Sequence, residues 1–182
     1  MTKPSTIGPS LPAMLAQLLL ALPLFSQGAT TRPKSAAERS LLARVVTIGA
    51  SLTSGAAAEL PLAKILDLAI AGEHRRVQQF ATELFFMKPR LSGKAQIDRC
   101  VRRRPTLVLG IDFLFWYGYG QMRGTDEIPR RLRLLEEGLE QLARLDCPIV
   151  VGDFPDMRGA DPRMLSPVQV PSKKALAALN AR

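Results

Sequence analysis

Three short apolar runs predicted to be strands each end in glycine, followed within two residues by a side chain that can do chemistry. These endings are Gly49 to Ser51, Gly110 to Asp112, and Gly152 with Asp153. The carboxyl ends of parallel strands lie along one edge of a sheet, so we expect the three side chains to share a cleft. A serine hydroxyl in such a cleft suits nucleophilic acyl transfer, which also requires a base and donors for an oxyanion.

Two other interpretations of these residues stay open. Each aspartate can instead cap the turn or helix that follows its strand. Alternatively, Asp112 and Asp153 can act as hard oxygen ligands for a divalent cation, with Ser51 helping to hold a phosphate. The base for Ser51 is also missing, since His74 is the single histidine and lies in a polar segment beside Arg75 and Arg76. We expect no cofactor and no metal.

Strands and helices alternate along the chain, which predicts an α/β fold with a mainly parallel sheet covered by helices. The predicted strands cover residues 44–48, 106–110 and 148–152. Apolar residues at helical spacing predict helices over 59–71, 73–86, from a Ser92 cap to about 103, over 128–145, and from a Ser172 cap onward.

The first 28 residues have the pattern of a secretory signal peptide. A lysine at position 3 precedes the uncharged run 11–25, and small residues follow it. We therefore predict residues 1–28 as signal peptide, 29–43 as a lead-in and 44–182 as the domain, with a secreted or periplasmic location. An uncleaved amphiphilic anchor is the alternative.

The formal net charge is +9, and the arginines fall in three sequence clusters. These are Arg75 with Arg76, Arg99 with 102–104, and Arg130, Arg131 and Arg133. No aromatic residues interleave with them, so we interpret the clusters as solvated helix ends and loops. We expect an anionic envelope surface, rather than nucleic acid, as a possible partner.

Two further features concern the ends of elements. Cys100 and Cys147 each precede a predicted strand, so they are expected at the edge of the sheet opposite Ser51, either as a disulfide or as two buried thiols. The helical run that begins at Ser172 has barely completed two turns at Arg182, which leads us to expect an incomplete domain.

The first strand ending, GASLTSG, resembles the first block of the SGNH (GDSL-type) hydrolases. Ser51 stands at the position of the family's nucleophile and Gly49 at its glycine, while Ala50 replaces the usual aspartate; the tail of the block is matched by Thr53 and Gly55. In the third block Gly110 matches, but Asp112 stands where the family has its oxyanion asparagine. The nearest candidate for the second-block glycine is Gly72, and Phe113 stands where the third block has its aspartate.

The resemblance implies a three-layer α/β/α sandwich with a flavodoxin-like sheet. It also implies a serine ester hydrolase acting on a small ester or acylated carbohydrate, with oxyanion or pocket residues at Gly49, Gly110 and Asp112. The shared strand-end position adds Asp153 to these candidates. The aromatic run after the second strand would line an acyl pocket, with Phe113 and Trp116 as candidates, or else pack in the core. The family's final Asp-x-x-His block is not found, and we expect it beyond Arg182. The alternative is an inactive binding or scaffolding protein with the same fold.

Overall fold

A computed structural model describes residues 41–56, 58, 60–120 and 126–182 of the chain. The described residues belong to one unit, Lys34–Arg182. The strands are β1 (Val45–Thr47), β2 (Gln78–Gln79), β3 (Leu107–Gly110) and β4 (Ile149–Val151). The helices are α1 (Ser51–Ser54), α2 (Leu62–Ala69), a 3₁₀ helix (Glu83–Met87), α3 (Pro89–Arg103), α4 (Phe115–Gly118), α5 (Glu127–Leu142) and α6 (Lys173–Asn180).

The four strands form one parallel sheet in the order β2-β1-β3-β4. Strand β1 lies at its centre, where Val46 pairs with Gln78 on one side and with Val108 on the other. A strand with neighbours on both sides and helices on both faces has no exposed surface, which explains why Val45–Thr47 is apolar or β-branched throughout and buried. The order is that of flavodoxin-like sheets.

Alternate strand residues supply two hydrophobic clusters, one on each face. Val46 and Val108 face a cluster that includes residues of α3, α5 and α6, whereas Val45 and Leu107 face a smaller cluster that includes residues of α2. Helices therefore pack on both faces, as in a three-layer α/β/α sandwich. This confirms the fold class predicted from the sequence.

Most predicted elements are present within a few residues of their predicted limits, but the helix over 73–86 is wrong. Residues 78–79 form β2 by pairing with β1, and only the end of the segment is helical, as a 3₁₀ turn capped by Thr82. The Ser92 cap is also wrong, because α3 begins at Pro89, where proline fits the first helical turn. The Ser172 cap is confirmed, since its hydroxyl accepts a hydrogen bond from the Ala175 N–H.

The interpretation of all three arginine clusters as solvated segments is wrong for Arg131. This side chain is 1% exposed and forms an ion pair with Glu127, with 2.9 Å between Nε and Oε1. Its guanidinium also donates to the Gly118 carbonyl and, at 3.4 Å, to the Gly120 carbonyl. Arg131 therefore joins α5 to the end of α4 in the interior.

Several predictions concern segments that the structure does not describe. The predicted signal peptide 1–28 lies outside the described residues, as does most of the predicted lead-in 29–43. Within the described part of the chain, no helix has the length and apolarity needed to cross a membrane. Cys100 is a buried thiol and Cys147 a half-buried one, with no disulfide between them.

Candidate active site

Ser51 is the first residue of α1 and follows β1 after a three-residue turn. Its side chain is half-buried and lies on the wall of a cleft of about 990 Å³. Among the described residues, neither its hydroxyl nor its backbone N–H has a hydrogen-bond partner. The predicted position of Ser51, at the carboxyl edge of the sheet and open to a cleft, therefore agrees with the structure.

Asp112 holds the turn that carries Ser51. One carboxylate oxygen accepts hydrogen bonds from the Ala50 N–H at 2.9 Å and the Thr53 hydroxyl at 2.5 Å. The other accepts from the Leu52 N–H at 2.9 Å and the Thr53 N–H at 3.2 Å. All four partners donate, so both carboxylate oxygens act as acceptors, and neither is placed to donate to an oxyanion.

The same geometry bears on the other predicted roles of Asp112. With both oxygens occupied by N–H and O–H donors, the carboxylate has little capacity left for a cation. Across the described residues, no group of three or more histidine, cysteine or acidic side chains could hold a metal ion. The geometry thus favours the capping interpretation for Asp112, here capping an element 60 residues away in the chain.

Gly49 is required by this arrangement for two reasons. Its φ of +136° is one that residues with a Cβ rarely adopt, and a Cβ here would lie 2.1 Å from Oδ1 of Asp112. A larger residue would therefore push the carboxylate off the turn. The sequence predicts Gly49 as an oxyanion or pocket residue, whereas in the structure its role is to let the backbone approach Asp112.

Gln96 also holds the turn, through the backbone of Gly49. Sequence reasoning missed this residue. Its side chain is 3% exposed, and its amide oxygen accepts from the Gly49 N–H at 2.7 Å while its amide nitrogen donates to the Gly49 carbonyl at 2.9 Å. The available signal was its position on α3, where it shares the buried face with Gly93, Ile97 and Cys100. A polar residue on a buried helical face needs a partner.

The cleft beside Ser51 has a largely apolar wall. The apolar lining includes Phe86, Met87, Trp116, Leu134 and Met164. The Phe86 and Trp116 rings are inclined to each other at 47°, with centroids 5.7 Å apart. Glu83, Arg90 and Gln169 add polar groups. Such a mixture suits a ligand with an apolar body and a polar attachment point.

The two acyl-pocket candidates have different surroundings. Trp116 lines the cleft, as predicted. Phe113 is fully buried and packs against Phe85 and Tyr117, with ring centroids 5.5 and 5.9 Å away, so it belongs to the core. Tyr117 packs against Phe113 in the core and also lines the cleft. Burial, followed by the charge of Glu137, raises the pKa of Tyr117 to about 12. Its hydroxyl donates to the Pro89 carbonyl at 3.2 Å.

The remaining predicted site residues do not line this cleft. Asp153 is exposed, and within the described residues its carboxylate makes no hydrogen bond or ion pair. Gly110 is buried where a Cβ would lie 3.1 Å from atoms of Ile48 and Phe113, and Gly152 donates its N–H to the Ile111 carbonyl at 3.2 Å. Of the three side chains expected to share a cleft, only Ser51 lines this one; Asp112 binds the turn that carries Ser51, and Asp153 contacts neither.

His74 lies at the amino-terminal edge of the sheet, opposite the edge that carries Ser51. Its Nε2 is 3.4 Å from Oδ1 of Asp67, and its Nδ1 is 3.0 Å from the Gly72 carbonyl oxygen. The next residue, Arg75, donates its N–H to the Ala43 carbonyl just before β1, which places this segment at the amino end of the strands. His74 cannot act on Ser51 from there, and the 182 residues contain no other histidine.

The chain matches no protein-family model, no curated protein and no solved structure. The geometry around Ser51 therefore carries the functional argument by itself.

Proposed function

We propose that the cleft binds the acyl part of an ester and that Ser51 is the nucleophile of an exported, SGNH-like ester hydrolase. The observation that carries this proposal is the Ser51 hydroxyl and N–H, which have no hydrogen-bond partner among the described residues and lie at the wall of a largely apolar cleft, on a turn held by Asp112 and Gln96. A nucleophile on a turn fixed by buried hydrogen bonds is positioned before substrate arrives. A small ester or an acylated carbohydrate suits the cleft.

In this proposal Ser51 Oγ attacks the ester carbonyl, and the Ser51 N–H donates to the oxygen that becomes negative. The tetrahedral intermediate then expels the alcohol, and water hydrolyses the resulting acyl-serine to release the acid. The acyl group lies along Trp116 and Phe86, where its burial contributes binding energy. The proton of the Ser51 hydroxyl passes to a general base and from it to the departing alcohol; the resemblance to SGNH hydrolases assigns that base to an Asp-x-x-His sequence. Asp112 and Gln96 act through the turn and are positioning residues.

A second candidate is favoured by one observation, the placement of the single histidine at the opposite edge from Ser51. A serine without a base is a weak nucleophile. On this view the cleft binds an acylated ligand without turning it over, and the protein is an envelope binding or scaffolding protein.

Trp116 provides a direct assay of the cleft, since it is the only tryptophan in the chain. We expect its fluorescence to change on titration of the 182-residue chain with p-nitrophenyl butanoate, and the same titration of Trp116→Phe measures the background. On the hydrolase proposal the protein should also release p-nitrophenol from this ester. Ser51→Ala should remove at least about 10³-fold of that rate while preserving the fluorescence change.

Ser54→Ala is the matched control, because Ser54 is a second serine in the same short helix. Its hydroxyl is engaged in a hydrogen bond to the Ser51 carbonyl. Ser54→Ala should keep most of the activity. Hydrolysis that survives in Ser51→Ala would refute Ser51 as the nucleophile. A fluorescence change without release of p-nitrophenol would favour the binding protein, and no change at all would refute both candidates.

A further inference from the structure

Two arginine clusters that are far apart in the sequence come together at the amino-terminal edge of the sheet. Arg75 and Arg76 precede β2, while Arg102 and Arg103 end α3, the helix that leads into β3. Arg44, directly before β1, joins them. Parallel strands begin at the same edge, so the topology gathers these residues on the side of the sheet away from Ser51.

These five arginines line one cleft of about 220 Å³, and among the described residues no aspartate or glutamate lines it. The other lining residues are Val45, Val46, Gln78 and Pro105. Arg44 is held in place because its Nε donates to the Arg104 carbonyl at 2.8 Å. Among the described residues, the acidic side chain that contacts these arginines is Asp67, whose Oδ2 lies 3.9 Å from Nε of Arg76, and one carboxylate compensates at most one of the five charges.

The basic surface continues beyond this cleft. An adjoining depression is lined by Arg99, Arg102, Arg103 and Phe80, and it shares two arginines with the first. The Arg99 guanidinium carbon stands 5.8 Å from the centroid of the Phe80 ring. Arginine that stacks on an aromatic face keeps its donors available at the edge of the guanidinium plane.

The helix dipole of α3 accounts for only part of this arrangement. Cations at a helix C-terminus are favourable, and that explains Arg102 and Arg103. Arg44, Arg75 and Arg76 lie outside helices, so the dipole gives no reason for them to face the same cleft. Five like charges around one small volume repel one another, and a bound anion relieves that repulsion.

We propose that this arginine cleft binds a compact anion bearing several phosphate groups. Guanidinium groups donate paired N–H bonds that fit phosphate oxygens, and the cleft is small beside the roughly 300–1,000 Å³ of pockets for larger ligands. The phosphates can belong to a soluble polyphosphate or to a lipid headgroup. The site lies at the edge opposite Ser51, so the proposal does not depend on the proposed hydrolase activity.

Sodium tripolyphosphate is the probe, and calorimetric titration of the 182-residue chain in about 0.15 M salt is the measurement. We expect binding that weakens at least tenfold in Arg75→Glu/Arg102→Glu. The matched control is Arg133→Glu/Lys174→Glu, which changes the net charge equally at exposed positions outside the cleft and should change the affinity less than twofold. Equal loss in both variants, or no binding by the unmodified chain, would overturn the proposal.

Vesicles and DNA distinguish the source of the phosphates. Phosphatidylcholine vesicles with 30 mol% of a phosphoinositide should bind, and release the protein on addition of tripolyphosphate, if a lipid headgroup is the ligand. Tripolyphosphate binding without vesicle binding would support a soluble ligand. A single-stranded DNA 20-mer that binds more tightly than tripolyphosphate and competes for the cleft would assign it to nucleic acid and overturn the proposal.

Discussion

Replacing Asp112 with alanine should destabilise the fold more than any change to the other strand-end aspartate. The carboxylate accepts from three backbone N–H groups, of Ala50, Leu52 and Thr53, and from the Thr53 hydroxyl. A buried donor left without an acceptor costs about 1–3 kcal/mol. The three backbone N–H donors together give roughly 3–9 kcal/mol of destabilisation. Because the Leu52 N–H is only partly buried and can relax, we expect a loss of stability in the lower part of that range.

We therefore expect Asp112→Ala to lower the free energy of unfolding by at least about 3 kcal/mol. For a chain of this length that corresponds to a fall in melting temperature of roughly 6–12 °C. Asp112→Asn should lie between alanine and the native residue, since an amide keeps one acceptor oxygen. Urea unfolding followed by circular dichroism and by Trp116 fluorescence measures the difference.

Asp153→Ala is the control for the same residue type at an equivalent sequence position. Asp153 also follows a strand-end glycine, yet it is exposed and, within the described residues, makes no hydrogen bond or ion pair. Its removal should change stability by no more than about 0.5 kcal/mol. Equal losses from the two alanine variants, or a loss below about 1 kcal/mol for Asp112→Ala, would refute the capping role.

Three other outcomes follow from the structure. Gly49→Ala should lower the melting temperature much more than Gly72→Ala does. Both glycines have positive φ, but only at Gly49 would a Cβ lie 2.1 Å from another atom. Iodoacetamide at pH 8 should modify Cys147 before Cys100 by mass spectrometry, since burial raises the pKa of Cys100 to about 12. Burial raises the pKa of Tyr117 to about 12 as well, so the folded state binds the protons of Cys100 and Tyr117 more tightly than the unfolded state does. The free energy of unfolding in urea should therefore be retained below about pH 9 and fall between about pH 9 and 12. Cys100→Ala should flatten that alkaline decline.

The sequence predicts those elements whose signals are local. A buried β-branched run ending in glycine is enough to predict β1 and the turn carrying Ser51, and an apolar stripe at helical spacing predicts α5. The helix predicted over 73–86 fails because its apolar spacing was helical, whereas pairing with β1 supplies the backbone hydrogen bonds of 78–79 from a distant segment. Tertiary contacts overrode the local preference.

The site depends on contacts that a local pattern does not contain. Asp112 binds a turn about 60 residues earlier in the chain, and Gln96 binds the Gly49 peptide 47 residues away. A strand-end aspartate looks the same in sequence whether it caps a distant turn or points to solvent, so the pattern gave Asp112 and Asp153 the same role. Only the packing of β3 beside β1 separates them.

The arginine cleft shows the same limitation from the opposite side of the sheet. Arg75 and Arg103 are well separated in sequence, and the parallel order β2-β1-β3 is what brings their segments to one edge. The Ser51 cleft lies at the other edge of the same sheet. The two proposals therefore fail separately: loss of tripolyphosphate binding would leave the case for Ser51 intact, and loss of the ester site would leave five guanidinium groups around a cleft that no described acidic residue lines.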